Sequence, residues 1–270
     1  MFQDVKQRLG LQRRLSRTEM VEQGRIVLDT EARAIGKLAG TLNGEFADAV
    51  DVVIAAPRRV LVSGMGKSGH IARKMAATFS STGLPAFFVH PGEAAHGDLG
   101  MLTPGDVLVA LSNSGATPEL QPIMRYARQL GCPVIGITSQ SDSPMTEMAD
   151  VCLLLPRVRE ACPANISPTT STTLMLALGD ALAVTVMQTH GISRAQLELL
   201  HPGGAIGSRL LPVGRLMHVG EGLPLVTADM PMHDVLVTMT EKSLGIAGVI
   251  DDNGRLIGTI TDGDLPRRID

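Results

Sequence analysis

Five short strings gather the residues that could do chemistry. In Gly64-Met65-Gly66-Lys67-Ser68-Gly69-His70, glycines would let the backbone approach an anion, and a following helix would offer free N–H groups and its positive dipole end. Gly66, Lys67 and Ser68 are the ligand candidates there. The string also fits a dinucleotide pattern, but where a ribose-binding acid belongs stands His90, with Glu93 only in the next loop. A Walker loop would need glycine at position 61, which is Leu61. Neither NAD nor a nucleoside triphosphate is favoured, and a tight ligand-free turn is the plain alternative.

Ser112-Asn113-Ser114-Gly115-Ala116-Thr117-Pro118-Glu119 carries hydroxyls at 112, 114 and 117. A helix cap needs one hydroxyl; three, with the amide of Asn113, suit phosphate oxygens. Pro118 is placed for a first helical turn. The loop His90 to Leu99 holds His90, Glu93, His96 and Asp98. Loops after strands often carry function, although two histidines six apart are a weak metal pattern. Arg159-Glu160-Ala161-Cys162-Pro163 and His201-Pro202-Gly203-Gly204-Ala205 complete the set; alone, each charged residue in them reads as solvated.

The elements that must position these strings alternate. Residues 17–56 read as helical, with Val21, Ile26, Val27, Ile35, Leu38 and Leu42 at helical spacing and a break at Asn43-Gly44. Strands are predicted at 60–62, 86–89, 107–111, 134–137 and 151–155, and helices at 68–81, 118–130 and 170–190. Short apolar strands separated by helices predict a doubly wound, five-stranded parallel sheet of the α/β class, with ligands beyond the strands' carboxyl ends. After about residue 214 the order becomes short strand, helix 232–242, strand 246–250, the turn Asp252-Asn253-Gly254, and strand 256–260, a small α+β module. The domains are therefore expected at 1–213 and 214–270.

With 19% charged residues, a net charge of -3 and no Trp, the composition argues against a nucleic-acid partner. Cys132, Cys152 and Cys162 are odd in number and fit no metal spacing, so buried free thiols in a reducing compartment are expected. The first residues lack a signal-like apolar run, and no stretch is expected to span a membrane. A cytoplasmic protein follows.

The strings GMGKSGHIARKMAATFSSTG, FFVHPGEAAHGDLG, LSNSGATPE, EACP, SPTTSTT, GDALAV and HPGGAIG resemble those of D-arabinose 5-phosphate isomerases, and GVIDDNGRLIGTITDGDLPRR looks like the end of a cystathionine-β-synthase-type (CBS) module. The likeness covers the chain after about residue 20. It implies a sugar isomerase (SIS) fold followed by CBS, and an aldose–ketose isomerase interconverting D-ribulose 5-phosphate and D-arabinose 5-phosphate through an enediol(ate). The product would supply the Kdo branch of lipopolysaccharide synthesis.

By resemblance, Lys67, Glu119, Glu160 and His201 are the catalytic positions, and Gly83, Leu84, His90 and His96 contact substrate. His90 is also the family's metal histidine. No cofactor is required; zinc or another divalent metal there would be inhibitory or adventitious. The resemblance further implies a homo-oligomer, expected to be a tetramer, and a nucleotide or nucleotide-sugar at the CBS module. Ala116 and Pro118 depart from the family pattern, as does Pro266, and one CBS module stands where two are usual. The rival functions are a non-catalytic phosphosugar sensor and an isomerase of another phosphosugar.

Overall fold

The computed structural model describes residues 15–201 and 213–264. Residues 1–14, the string Pro202 to Ala205, Pro212 and Pro266 lie outside the described residues. The chain divides into two compact units, 1–204 and 205–270.

The first unit begins with α1 (Arg17–Thr41) and α2 (Gly44–Ala55), separated at the expected Asn43. A capping box starts α1: Glu19 N–H donates to the Ser16 hydroxyl, and Ser16 N–H donates to the Glu19 carboxylate. Then come β1 (Val60–Gly64), α3 (Gly66–Ser81), β2 (Ala86–Val89), the short α4 (Pro91–Ala94) and β3 (Val107–Leu111). They are followed by α5 (Leu120–Gln129), β4 (Val134–Thr138), α6 (Pro144–Met148), β5 (Val151–Leu154), α7 (Thr170–His190) and α8 (Arg194–Leu200).

The strands form one parallel sheet in the order β2-β1-β3-β4-β5. All residues of β1, β3 and β4 are buried, which is why each reads as a continuous apolar run. Helices α1, α2, α3 and α7 cover one face and α4, α5 and α6 the other. The sheet is thus doubly wound, as expected. Helix α7 is long and apolar enough to cross a bilayer. Its residues Leu174, Leu178, Leu182 and Val186 are instead buried in the sheet-covering layer.

One expectation needs correction. Helix α5 starts at Leu120, not 118, so Pro118 precedes the helix in a tight turn in which Gln121 N–H donates to the Pro118 carbonyl. Helix α1 forms as the spacing predicts, and of its apolar stripe Leu38 is buried whereas Val21, Ile26, Ile35 and Leu42 are exposed.

In the second unit α9 (Val213–Leu216) precedes β6 (Leu225–Thr227), α10 (Met232–Lys242), β7 (Ile246–Ile250) and β8 (Leu256–Thr261). β6 pairs parallel to β7, and β7 antiparallel to β8, around Val226, Val235, Met239 and Ala247. The hairpin falls where expected. Asp251 holds it, its carboxylate accepting from Asn253 and Arg255 N–H at 2.9 Å.

Candidate active site

In the strand order 2-1-3-4-5, the loops after β1 and β3 leave toward opposite faces, because α3 packs on one face and α5 on the other. A crevice opens at such a switch point, beyond the carboxyl ends of the strands. Both anion-loop candidates sit there.

The first loop is tightly built. Ser63 donates its hydroxyl to the Val89 carbonyl at 2.8 Å, tying the ends of β1 and β2 together. Gly69 packs so closely that a Cβ would stand 2.5 Å from the Gly64 carbonyl oxygen. No side chain caps α3, so the N–H groups of its first turn, at Gly66, Lys67 and Ser68, stay open to a ligand. Lys67 is exposed.

In the second loop the three hydroxyls converge. Ser112 Oγ lies 2.7 Å from Thr117 Oγ1 and 3.4 Å from Ser114 Oγ. The Asn113 carbonyl accepts from Ser139 N–H and hydroxyl and from the Thr138 hydroxyl, which fixes the loop to the end of β4. Gly115 has φ +63°, and a Cβ there would lie 2.2 Å from Ser143 Oγ, so only glycine fits. Glu119 stands at the N-cap of α5 without a capping bond. It forms no ion pair with Lys67 among the described residues.

Glu160 follows β5, two strand spacings or about 10 Å from β3. Its carboxylate sits over the first turn of α7. One oxygen accepts from Thr169 N–H (2.8 Å), the Thr169 hydroxyl (3.2 Å) and Ser171 N–H (3.2 Å); the other accepts from the Ser171 hydroxyl (2.5 Å). Burial pushes this carboxyl up, but the bonds from Ser171 and Thr169 outweigh burial and hold it below its ordinary value. Sequence reasoning missed Thr169 and Ser171 as its mount. Beside them, a cavity of about 210 Å³ is lined by Asn113, Ser139, Gln140, Arg157 and Ser171, among others.

His90 follows β2 at the N-cap of α4, and its Nδ1 is buried without a partner. No cluster of three His, Cys, Asp or Glu side chains suited to a metal occurs among the described residues. His96 is exposed in the following loop.

Other predicted positions lie elsewhere. Gly83 and Leu84 precede β2, at the amino end of the sheet, opposite the loops above. A Cβ on Gly83 would lie 3.1 Å from Ile192, so the chain just after α7 also reaches that end. His201 comes after α8, its Nδ1 2.8 Å from the Leu197 carbonyl. One chain therefore does not bring Gly83 and Leu84 to Lys67, Glu119 and Glu160, and His201 has no hydrogen bond to those residues among the described residues.

The cysteines also differ from expectation. Cys132 is buried, but Cys152 and Cys162 are partly exposed. Burial raises the thiols of Cys132 and Cys152, whereas N–H groups of Ser167, Ile166 and Ala164 lower Cys162 to about 7. Iodoacetamide at pH 7 should modify Cys162 well ahead of the other two. Peptide mapping of alkylated protein checks this; equal labelling of all three would refute the assignment.

The SIS domain family matches residues 53–185 and the CBS domain family residues 213–270. Arabinose 5-phosphate isomerase KdsD of Pseudomonas aeruginosa is 44% identical over 253 residues, 93% of this chain and 78% of that protein. KdsD of Escherichia coli K12 is 46% identical over 248 residues, 92% of this chain and 76% of that protein. A solved E. coli protein in complex with arabinose 5-phosphate superposes with a TM-score of 0.67 at 35% identity, covering 70% of this chain and 100% of that one.

Proposed function

From the premise that this chain belongs to the arabinose 5-phosphate isomerase family, we propose how its own residues interconvert D-ribulose 5-phosphate and D-arabinose 5-phosphate. The observation that carries the reading is the pairing, beyond the carboxyl ends of the strands, of a hydroxyl cradle after β3 with an ionised glutamate held by four hydrogen bonds after β5. Ser112, Ser114 and Thr117, with the open N–H groups at Gly66 to Ser68, take the phosphate. This leaves the C1–C2 end of the sugar free to lie toward Glu160.

The reaction moves one proton between adjacent carbons. Glu160 removes the C2 proton of the aldose, the C1 oxygen gains a proton, and an enediol forms. Return of the proton to C1, with loss of the C2 hydroxyl proton, gives the ketose. Lys67 stabilises the enediolate or the phosphate by charge. Glu119 serves as a further acid or base at the crevice mouth. His201 and His96 assist ring opening and proton transfer to oxygen. The reaction needs no redox cofactor, and a divalent metal at His90 would inhibit by blocking the crevice.

The active form we propose is a homo-oligomer, a tetramer, in the cytoplasm. The open apolar stripe of α1 supports self-association, since contiguous exposed apolar surface marks an interface. The position of His201 supports a site completed by a second copy. The CBS module would take a nucleotide or nucleotide-sugar.

Incubation with D-ribulose 5-phosphate, without added metal, should yield D-arabinose 5-phosphate, identified by chromatography against standards. A different product would overturn the substrate, and binding without turnover would make the chain a sensor.

A further inference from the structure

A second concavity, of about 400 Å³, lies between α1 and the segment joining β5 to α7. Arg33 and Lys37 line it from α1, one turn apart, and Arg157 and Arg159 from the segment. None of its lining residues is acidic. None of the four cations is in an ion pair among the described residues. Arg157 donates to Gln140 Oε1 and the Ser139 carbonyl, and Arg33 to the Asp29 carbonyl, which leaves most of their N–H groups without a protein acceptor.

Thr170 also lines this concavity. It is wholly buried, and its hydroxyl has no hydrogen-bond partner. Buried hydroxyls are nearly always paired, so this one marks a place where a ligand atom belongs. It is the first residue of the 21-residue α7, whose N-terminal dipole end favours the same sign of charge as the four cations.

We propose that this concavity binds a phosphorylated anion at a site separate from the substrate cradle, and that occupancy is transmitted to Glu160. Arg157 and Val158 form a wall it shares with the cavity of about 210 Å³, whereas Thr30, Arg33, Ala34, Lys37, Arg159 and Thr170 line this concavity and not that one. The transmission follows from chain order. Thr169 and Ser171, which hold the Glu160 carboxylate, flank Thr170, and Arg159 is the neighbour of Glu160. An anion gripping Arg159 and Thr170 therefore pulls on both ends of the glutamate's mount. The binding half stands without the proposed reaction; the transmitted half rests on Glu160 being its base.

Calorimetry of the full chain with inorganic pyrophosphate, at fixed ionic strength, tests the binding half. Two classes of site are expected, one displaced by D-arabinose 5-phosphate and one not. Arg33→Gln/Lys37→Gln changes only exposed side chains and should weaken the second class at least tenfold while leaving the first intact. The isosteric Thr170→Val should weaken the same class without lowering the melting temperature. A single class of site, or a second class indifferent to these variants, would overturn the site. Displacement of the second class equally well by chloride would do the same. Turnover tests the other half. Pyrophosphate should change kcat at saturating substrate in the parent protein but not in Arg33→Gln/Lys37→Gln, and purely competitive inhibition in both would overturn the coupling.

Discussion

Replacement of Glu160 by glutamine is expected to lower kcat by about 10²–10⁴-fold, the contribution of a positioned base, while phosphosugar binding survives. The mount explains why the loss should be chemical and not structural. One carboxylate oxygen accepts three bonds, from Thr169 N–H, the Thr169 hydroxyl and Ser171 N–H. A glutamine carbonyl placed there keeps all three. The other oxygen meets only the Ser171 hydroxyl, which can turn to accept from an amide NH₂. Calorimetry on the variant separates the outcomes: loss of binding together with turnover would make Glu160 a binding or structural residue.

The same mount sets a pH signature. The carboxyl lies below its ordinary value of 4.5, so it is ionised throughout the neutral range. Its bonds stabilise the fold above that value, and the stabilisation is lost as pH falls through the lowered native value. An acid limb in kcat/KM above pH 4.5 must therefore come from another group, and it should persist in Glu160→Asp.

The sheet was legible because β3 and β4 are buried on both faces, which leaves an uninterrupted apolar run for each. The cradle was legible because one helix start does not need three hydroxyls. The mount of Glu160 was not. Thr169 and Ser171 lie nine and eleven residues along the chain, beyond a loop whose path no local pattern sets. The lowered thiol of Cys162 was hidden for the same reason, since its donors are backbone N–H groups brought round by that loop. The stripe on α1 gave the helix but not its surroundings, because helical periodicity reports an apolar face without saying what covers it. The short helices α4 and α6 span four and five residues, too few for periodicity to register.

Mixing Glu160→Gln with His201→Ala protein, each inactive alone, should restore activity once subunits exchange. Helix α7 starts beside Glu160 and runs 21 residues, about 30 Å, to the opposite end of the sheet. From there to His201 the chain has ten residues past Gly191, seven of them in α8, and spans roughly 20 Å at full stretch. It cannot retrace the length of α7, so a His201 that acts on the substrate must do so in another copy's crevice. Gly83 and Leu84 lie at the same far end and would join it there. In a mixed dimer, one site then pairs two altered residues and the other is intact. Random 1:1 exchange should return about a quarter of parent activity, since half the dimers are mixed and one of two sites in each is whole. The exchange itself is followed by mass spectrometry of differently tagged chains. No recovery after exchange is established would overturn the shared site, leaving His201 without a role on the substrate or α7 shorter in the active form.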